Sequence, residues 1–379
     1  MKIIFFANTD WYLYNFRLAW ARFLRDQGLE VVMLSPPGRY GPMLETAGFK
    51  WIPLEMDRRS LNPGRELALI RRISTIYARE KPDIVHHFTI KCVVYGSLIA
   101  RWHGVPNRVN AVTGMGYVFS DSSVLARLLR PVVRKLMKAA LDGNGSRLIL
   151  QNSDDMQAFT AEGLAPEDRM HLIRGSGVDT SRFCPPGIKN RGRQMRVVLA
   201  SRLLWDKGIG EYVQAARLLR DQALPVEFLL AGTTDRGNPG AVPQRQIDAW
   251  QRNGIVTYLG HVDDMPKLFR DVDIAVLPSY YREGVPRSLL EAAACGLPII
   301  TADTPGCREI VHHGVTGLIV PPRNAQALAD AIRSLYENPA KREAMGEAGR
   351  RRVEREFDEQ IVFEKTLGVY RQLLTDALS

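Results

Sequence analysis

In the stretch EGVPRSLLEAAACG, residues 283 to 296, two carboxylates, Glu283 and Glu291, stand eight positions apart in otherwise apolar surroundings. A Gly and a Val-Pro follow the first acid, and Leu289, Leu290, Ala292, Ala293 and Ala294 surround the second, so the stretch reads as a loop feeding a buried helix. Pro286 suits a helix start, and Ser288 with Glu291 fits the S-x-x-E capping box, in which side chains satisfy first-turn amides. On that reading Glu291 is structural and Glu283 is an exposed loop acid. The other reading has both acids sorting the hydroxyl groups of a ligand.

A pair of cations favours the second reading. Arg202 and Lys207 follow the apolar run RVVLAS directly, in SRLLWDKG. Two cations at the carboxyl end of a strand suit a diphosphate, Arg through forked hydrogen bonds and Lys as a point charge. A merely solvated pair at a helix start would oppose the helix dipole. Backbone amides around Arg287, Ser288 and Leu289 add an anion site at a helix N-terminus. Glu291, one turn inside, can reach a ribose, and Glu283, before the turn, a sugar hydroxyl. Together these parts would hold a nucleoside diphosphate attached to a sugar, with cationic groups in place of a metal.

Such residues need strands to hold them. KIIFFA (2–7), EVVML (30–34), DIVHHF (83–88), RVNAV (108–112) and RLILQN (147–152) are short β-rich runs separated by helical segments such as 16–27 and 66–80. Strands alternating with helices imply a parallel sheet covered on both faces. The pattern restarts with RVVLAS (196–201), VEFLLAG (226–232), IVTYLG (255–260), IAVLPS (274–279), PIITAD (298–303) and GLIVP (317–321). Between the series lies CPPGIKNRGRQ (184–194), a Pro-, Gly- and Arg-rich linker. After Pro322 the chain reads as helical to its end. A chain of 379 residues also exceeds what one core usually supports. The expected organisation is α/β, two doubly wound Rossmann-like domains facing each other across a cleft, with residues 1–185 and 186–355 as the domains and 356–379 as a helix packing back on the first. Open sheets of this kind bind ligands at the carboxyl ends of their strands.

The E-x7-E of Glu283 and Glu291, the Arg-x4-Lys of Arg202 and Lys207, and the run DIAVLPSYYREGVPRSLLEAAACGLPIITADTPGCREIVHHGVTGLIVPP resemble the carboxyl-terminal half of glycosyltransferase family four, retaining enzymes of GT-B fold. The resemblance implies that Arg202 and Lys207 bind the donor diphosphate, Glu283 the transferred sugar and Glu291 the ribose. Gly260 and His261 would lie against the base. It also implies a UDP-sugar donor and front-face attack assisted by the leaving diphosphate, with no protein nucleophile, cofactor or metal. NTDWYLYNFR lacks the Gly-Gly often found after the first strand, and NAVTGMGYVF has Thr113 where many members carry His. These departures, with RRSLNP (58–63), resemble a narrower group that adds a second sugar to a sugar diphospho-undecaprenol carrier. Asp10, Arg17, Arg59, Asn62, Thr113 and Tyr117 become acceptor-side candidates, each with a structural alternative; Asn62 before Pro63 is a common turn starter.

A formal charge of +10 points to anionic partners. SSVLARLLRPVVRKLMKAAL (122–141) interleaves Arg127, Arg130, Arg134, Lys135 and Lys138 with apolar residues, a basic amphipathic pattern suited either to a core helix with a solvated face or to an anionic membrane surface. A lipid-linked acceptor favours the membrane. Pro131 is expected to kink or split this segment. The apolar run of MKIIFFANTD is too short for a signal peptide, and four scattered cysteines fit a reducing cytoplasm. The expectation is a peripheral protein on the inner face of the plasma membrane. Nucleic acid is disfavoured, because the cations lack the interleaved aromatics of a stacking platform. Asp271-Val272-Asp273 has a metal-binding D-x-D form but falls before a strand, away from the expected site. No Gly-rich phosphate loop of the nicotinamide or P-loop type occurs. A GT-B epimerase or phosphorylase, or a non-catalytic membrane-binding protein, are the competing readings.

Overall fold

A computed structural model describes residues 1–57, 60, 62–112, 114, 124–187, 194–235 and 237–376, with backbone alone for 124–126, 128 and 376. The chain divides into two compact units, Met1–Ser176 with the residues from Phe363 on, and Gly177–Val362.

Among the described residues of the first unit, seven strands pair in parallel. They are β1 (Lys2–Phe6), β2 (Glu30–Ser35), β3 (Lys50–Pro53), β4 (Ile84–Phe88), β5 (Asn107–Val112), β6 (Ser146–Leu150) and β7 (Met170–Leu172), in the order β3-β2-β1-β4-β5-β6-β7. Helices cover both faces, so β1, β4 and β5 are almost wholly buried and, apart from Lys2 at the start of β1 and the buried Arg108 in β5, read as apolar or neutral runs. The two strands not expected from sequence, β3 and β7, are the sheet's edges. They are short, and Pro53 in β3 is tolerable only at an edge.

The second unit repeats the scheme with β8 (Met195–Ala200), β9 (Val226–Ala231), β10 (Thr257–Gly260), β11 (Ile274–Leu277), β12 (Ile299–Ala302) and β13 (Gly317–Val320), ordered β10-β9-β8-β11-β12-β13. The chain moves outward from β8 through β9 to β10, then returns to β11 on the other side of β8. Loops leaving β8 and β11 therefore diverge, which opens a crevice at their carboxyl ends.

The boundary falls at 176/177, upstream of the expected 185/186. Residues 178–183 belong to the second unit because they are bonded into it: the Val178 amide donates to the Phe357 carbonyl (3.0 Å), the Glu359 amide donates to the Val178 carbonyl (3.1 Å), and Phe183 is buried in its core. The last helix is Glu359–Asp376, three residues later than expected, and from Phe363 onward it belongs to the first unit. There Phe363 packs on Trp20 with ring centroids 5.4 Å apart, and the Tyr370 hydroxyl bonds His86 Nδ1 at 2.7 Å.

Candidate functional site

Strand β8 ends at Ala200, and the chain leaves it through a loop whose Leu203 and Leu204 are buried. A 3-10 turn, Trp205–Lys207, closes on Gly208 at φ 77°, where the helix Ile209–Asp221 begins. A Cβ at Gly208 would collide with the Pro278 carbonyl, so glycine alone lets this loop lie against the segment leaving β11. That approach brings Lys207 and Glu283 into direct contact as an ion pair, with side chains 10% and 12% exposed. The buried Ser279 hydroxyl donates to Glu283 Oε1 (2.8 Å), and the Tyr280 amide donates to the Asp206 carbonyl (3.0 Å), so both loops are held from within. Thr304 Oγ1 in turn donates to the Ser279 carbonyl at 3.0 Å.

Gly306, at φ 80°, packs so tightly on this loop that a Cβ would collide with the Gly284 carbonyl oxygen. It sets where the Glu283 backbone lies. Burial pushes the Cys307 thiol beside it up to about 11, and the Glu283 carboxylate adds to the push. Asp206 is a further acid at the site that sequence reasoning missed. Burial raises its carboxyl, Lys207 pulls it down and Glu283 pushes it up, while its Oδ1 is buried without a partner. Its position next to Lys207 was the only signal available.

Arg202 reaches Asp235 Oδ2 at 3.2 Å and keeps 52% of its side chain exposed. At the end of β10, Gly260 takes φ 66°, and its carbonyl accepts the Gly232 amide at 2.7 Å. His261 is half-exposed and pairs with Asp263 Oδ1 at 3.1 Å. Register places Gly260 and Ala200 each opposite Ala231, so these loops leave the same end of the sheet as Lys207.

The helix Arg287–Ala294 corrects the capping expectation. Pro286 is the N-cap, with no side-chain cap; Ser288 lies inside the first turn, and Glu291 falls too deep to complete the box. The Leu289 and Leu290 amides both donate to the Pro286 carbonyl, at 3.1 and 3.3 Å, so the Leu289 amide expected to meet an anion is already engaged. Glu291 Oε1 instead accepts from Arg287 Nε at 2.8 Å, one helical turn away. Burial raises the Glu291 carboxyl against the pull of Arg287 and then Arg182. Arg350 holds the end of this helix: its Nη1 donates to the Ala294 carbonyl (2.7 Å) and its Nη2 to the Thr180 carbonyl (2.8 Å).

The other candidates separate. Asp10 accepts the Tyr40 and Gly41 amides on one oxygen (2.7 and 2.9 Å) and the Trp11 amide on the other (2.8 Å), which makes it a loop anchor. Asn62 caps the helix Pro63–Glu80, accepting from Gly64 and Arg65 amides at 3.0 and 3.2 Å. Arg17 is buried. Arg59, Thr113 and Tyr117 lie outside the described residues. Asp273 accepts the Arg196 amide at 2.8 Å before β11, at the opposite end of the sheet from Lys207, so its carboxylate has a structural task. The basic segment forms one continuous helix, Val124–Leu141, straight through Pro131 rather than splitting there. Met137, Ala140 and Leu141 are buried, while Val132 and Leu136 face outward among Lys135 and Lys138.

Two family models match the chain, glycosyl transferase 4-like over residues 2–153 and glycosyl transferases group 1 over residues 186–352. It is 29% identical to the N,N'-diacetylbacillosaminyl-diphospho-undecaprenol alpha-1,3-N-acetylgalactosaminyltransferase of Campylobacter jejuni, over 99% of each chain. It is 23% identical to the capsular polysaccharide biosynthesis glycosyltransferase CapM of Staphylococcus aureus, over 94% of this chain and 93% of that one. Among solved structures it resembles Anabaena Alr3699/HepE in complex with UDP, with TM-score 0.78 and 20% identity over 98% of this chain and 100% of that one. Sucrose-phosphate synthase of Thermosynechococcus elongatus is similar at TM-score 0.80 and 21% identity, over 99% of each. The two family models, one over each half, make the chain a glycosyltransferase, and its two parallel sheets give it the GT-B fold of its structural neighbours.

Proposed function

We propose that the enzyme transfers a hexose or N-acetylhexosamine from a UDP-sugar to a sugar carried on a polyprenyl diphosphate, with retention at the anomeric carbon, in bacterial glycan assembly. The observation that carries this reading is the Lys207–Glu283 pair at the switch point of the second sheet, a cation suited to a diphosphate held against an acid suited to sugar hydroxyls. The name of the Campylobacter relative supports the acceptor class, and the UDP bound in the Anabaena neighbour supports the donor.

On this reading Lys207 and Arg202 stabilise charge on the departing UDP, aided by the first-turn amides of Arg287 and Ser288. A well-placed donor group of this kind contributes about 3 to 4 kcal/mol in the transition state. Glu283 turns from Lys207 to the hydroxyls of the transferred sugar. Glu291, steadied by Arg287, meets the ribose, and Gly260 and His261 border the base. The leaving diphosphate takes the acceptor proton, so neither a protein nucleophile nor a metal enters the reaction. None of the described helices is long and apolar enough to cross a membrane. The enzyme reaches its acceptor by lying on the anionic inner leaflet through Val124–Leu141, whose Val132 is 57% exposed between basic residues.

The test is incubation with a panel of UDP-sugars and a synthetic short-chain prenyl-diphosphosugar, followed by mass measurement of the lipid. A gain of one sugar on the lipid is expected; release of free sugar alone, with no gain under any donor, refutes the assignment.

A further inference from the structure

We infer that Arg17 anchors an anion site in the first unit, one that takes the diphosphate of a prenyl-linked acceptor. The class of ligand rests on the acceptor reading above; the site itself rests on the geometry of one buried cation.

Arg17 follows β1, which lies between β2 and β4 at the switch point of the first sheet, the position where open α/β sheets bind ligands. It closes a π-type turn, Leu13–Arg17, that precedes the helix Leu18–Asp26. Such turns sacrifice regular helical bonding and recur at functional sites. The guanidinium lies over the Phe88 ring, 4.4 Å from its centroid, and Nη2 donates to the Tyr12 hydroxyl at 2.6 Å. The residue is 8% exposed, and its Nε is buried without a partner.

Among the described residues no carboxylate pairs with Arg17. Asp10, seven residues earlier, is committed to the backbone amides of Trp11, Tyr40 and Gly41. His86 nearby is a base and cannot serve as a counter-ion; burial first and Arg17 second keep it from adding a second positive charge. A buried guanidinium without a counter-ion is costly, and a bound anion removes that cost. Stacking on Phe88 and bonding to Tyr12 fix the plane of the fork, so little freedom is lost when it grips phosphate oxygens. Other buried arginines of the chain spend their forks on backbone carbonyls, Arg108 Nη2 on that of Asp142 (2.9 Å) and Arg352 Nη1 and Nη2 on those of Ile310 and Glu309 (2.7 and 2.8 Å), whereas the fork of Arg17 meets, among the described residues, a single side-chain hydroxyl.

The experiment titrates the full chain with geranyl diphosphate by calorimetry, with UDP present at saturation to occupy the second unit. Arg17→Met should weaken geranyl diphosphate about 10- to 100-fold, the loss expected for charge-assisted hydrogen bonds, and leave the Kd of UDP unchanged. Arg17→Lys, which keeps the charge and loses the fork, should fall between. Equal affinity of wild type and a folded Arg17→Met overturns the site. If that variant does not fold, Tyr12→Phe removes the hydroxyl that fixes the guanidinium and keeps the ring; a several-fold weakening is expected, and none overturns the site. Inorganic diphosphate should bind more weakly than geranyl diphosphate, and equal binding overturns the lipid assignment. Failure of UDP to bind, with Arg17-dependent binding of geranyl diphosphate retained, faults the donor reading instead.

Discussion

Replacing Glu283 with Gln should make the enzyme bind UDP more tightly while transfer collapses. In the structure Lys207 is held by Glu283, with both side chains nearly buried. A diphosphate arriving at Lys207 must share that ammonium with the carboxylate and also meets the carboxylate's own charge. At an effective dielectric of about 20, two unit charges roughly 5 Å apart interact by about 3 kcal/mol. With local water and side-chain relaxation taking about half of that, removing the charge should favour UDP by about 1 to 2 kcal/mol, or about 5- to 30-fold in Kd. Without ligand the same variant breaks a nearly buried ion pair and leaves Lys207 with the neighbouring Asp206 carboxylate, a loss of at most about 3 to 5 kcal/mol. The melting temperature should therefore fall without UDP and rise more steeply with it than in wild type. Calorimetric titration of UDP at fixed ionic strength measures the first effect and thermal unfolding the second. If Glu283→Gln binds UDP no tighter than wild type, the ion pair does not compete with the diphosphate and the proposed exchange of partners is wrong.

Gly306→Ala places a methyl against the Gly284 carbonyl at a φ of 80°, so a folded protein about 1 to 3 kcal/mol less stable and at least tenfold slower in transfer is expected; wild-type kcat would separate Gly306 from the position of Glu283. Under the proposed mechanism, in which cations of the chain do the work of a metal, transfer should continue undiminished in EDTA, and loss of activity restored by magnesium would refute it. The protein should sediment with anionic vesicles at low salt and be released as salt rises; equal binding to neutral vesicles removes the electrostatic role of Val124–Leu141. Glu359 is raised to about 7, by burial and then by Asp179, against the pull of Arg287. An acid raised in the folded state leaves stability intact below its unfolded pKa and forfeits it as pH climbs to the folded one. Glu359→Gln should accordingly stabilise the protein by about 1 to 2 kcal/mol at pH 8 and by nothing near pH 4.5, as read by denaturant unfolding.

The parts of this molecule legible in its sequence are those whose cause is local. Most strands of the two sheets announce themselves as β-rich runs because both faces are buried, and the exposed edge strand β10 stands out through the buried Ile255 and Val256 before it, whereas β3 and β7, short edge strands, carry too few apolar residues to stand out. Lys207 and Glu283 were visible as charges after strands, but their contact depends on Gly208 and Pro278 touching across two loops, which no spacing encodes. Ser288 shows the opposite failure. Its pattern with Glu291 is a genuine capping signature, yet Pro286 starts the helix two residues sooner and the pattern slips inside the first turn. The bond that Glu291 does make was legible all along, since Arg287 and Glu291 are four apart on a helix. That contact changes the chemistry expected of Glu291. A carboxylate already satisfied by a neighbouring guanidinium is a fixed acceptor, with its orientation set before any ribose arrives. Glu283 differs, because under the proposed function its partner Lys207 is the group that also binds the diphosphate. Of the two acids in the E-x7-E pattern, the structure pairs one with a guanidinium on its own helix and the other with a lysine from a separate loop, and under the proposed function only the second would couple the arrival of the nucleotide to the handling of its sugar.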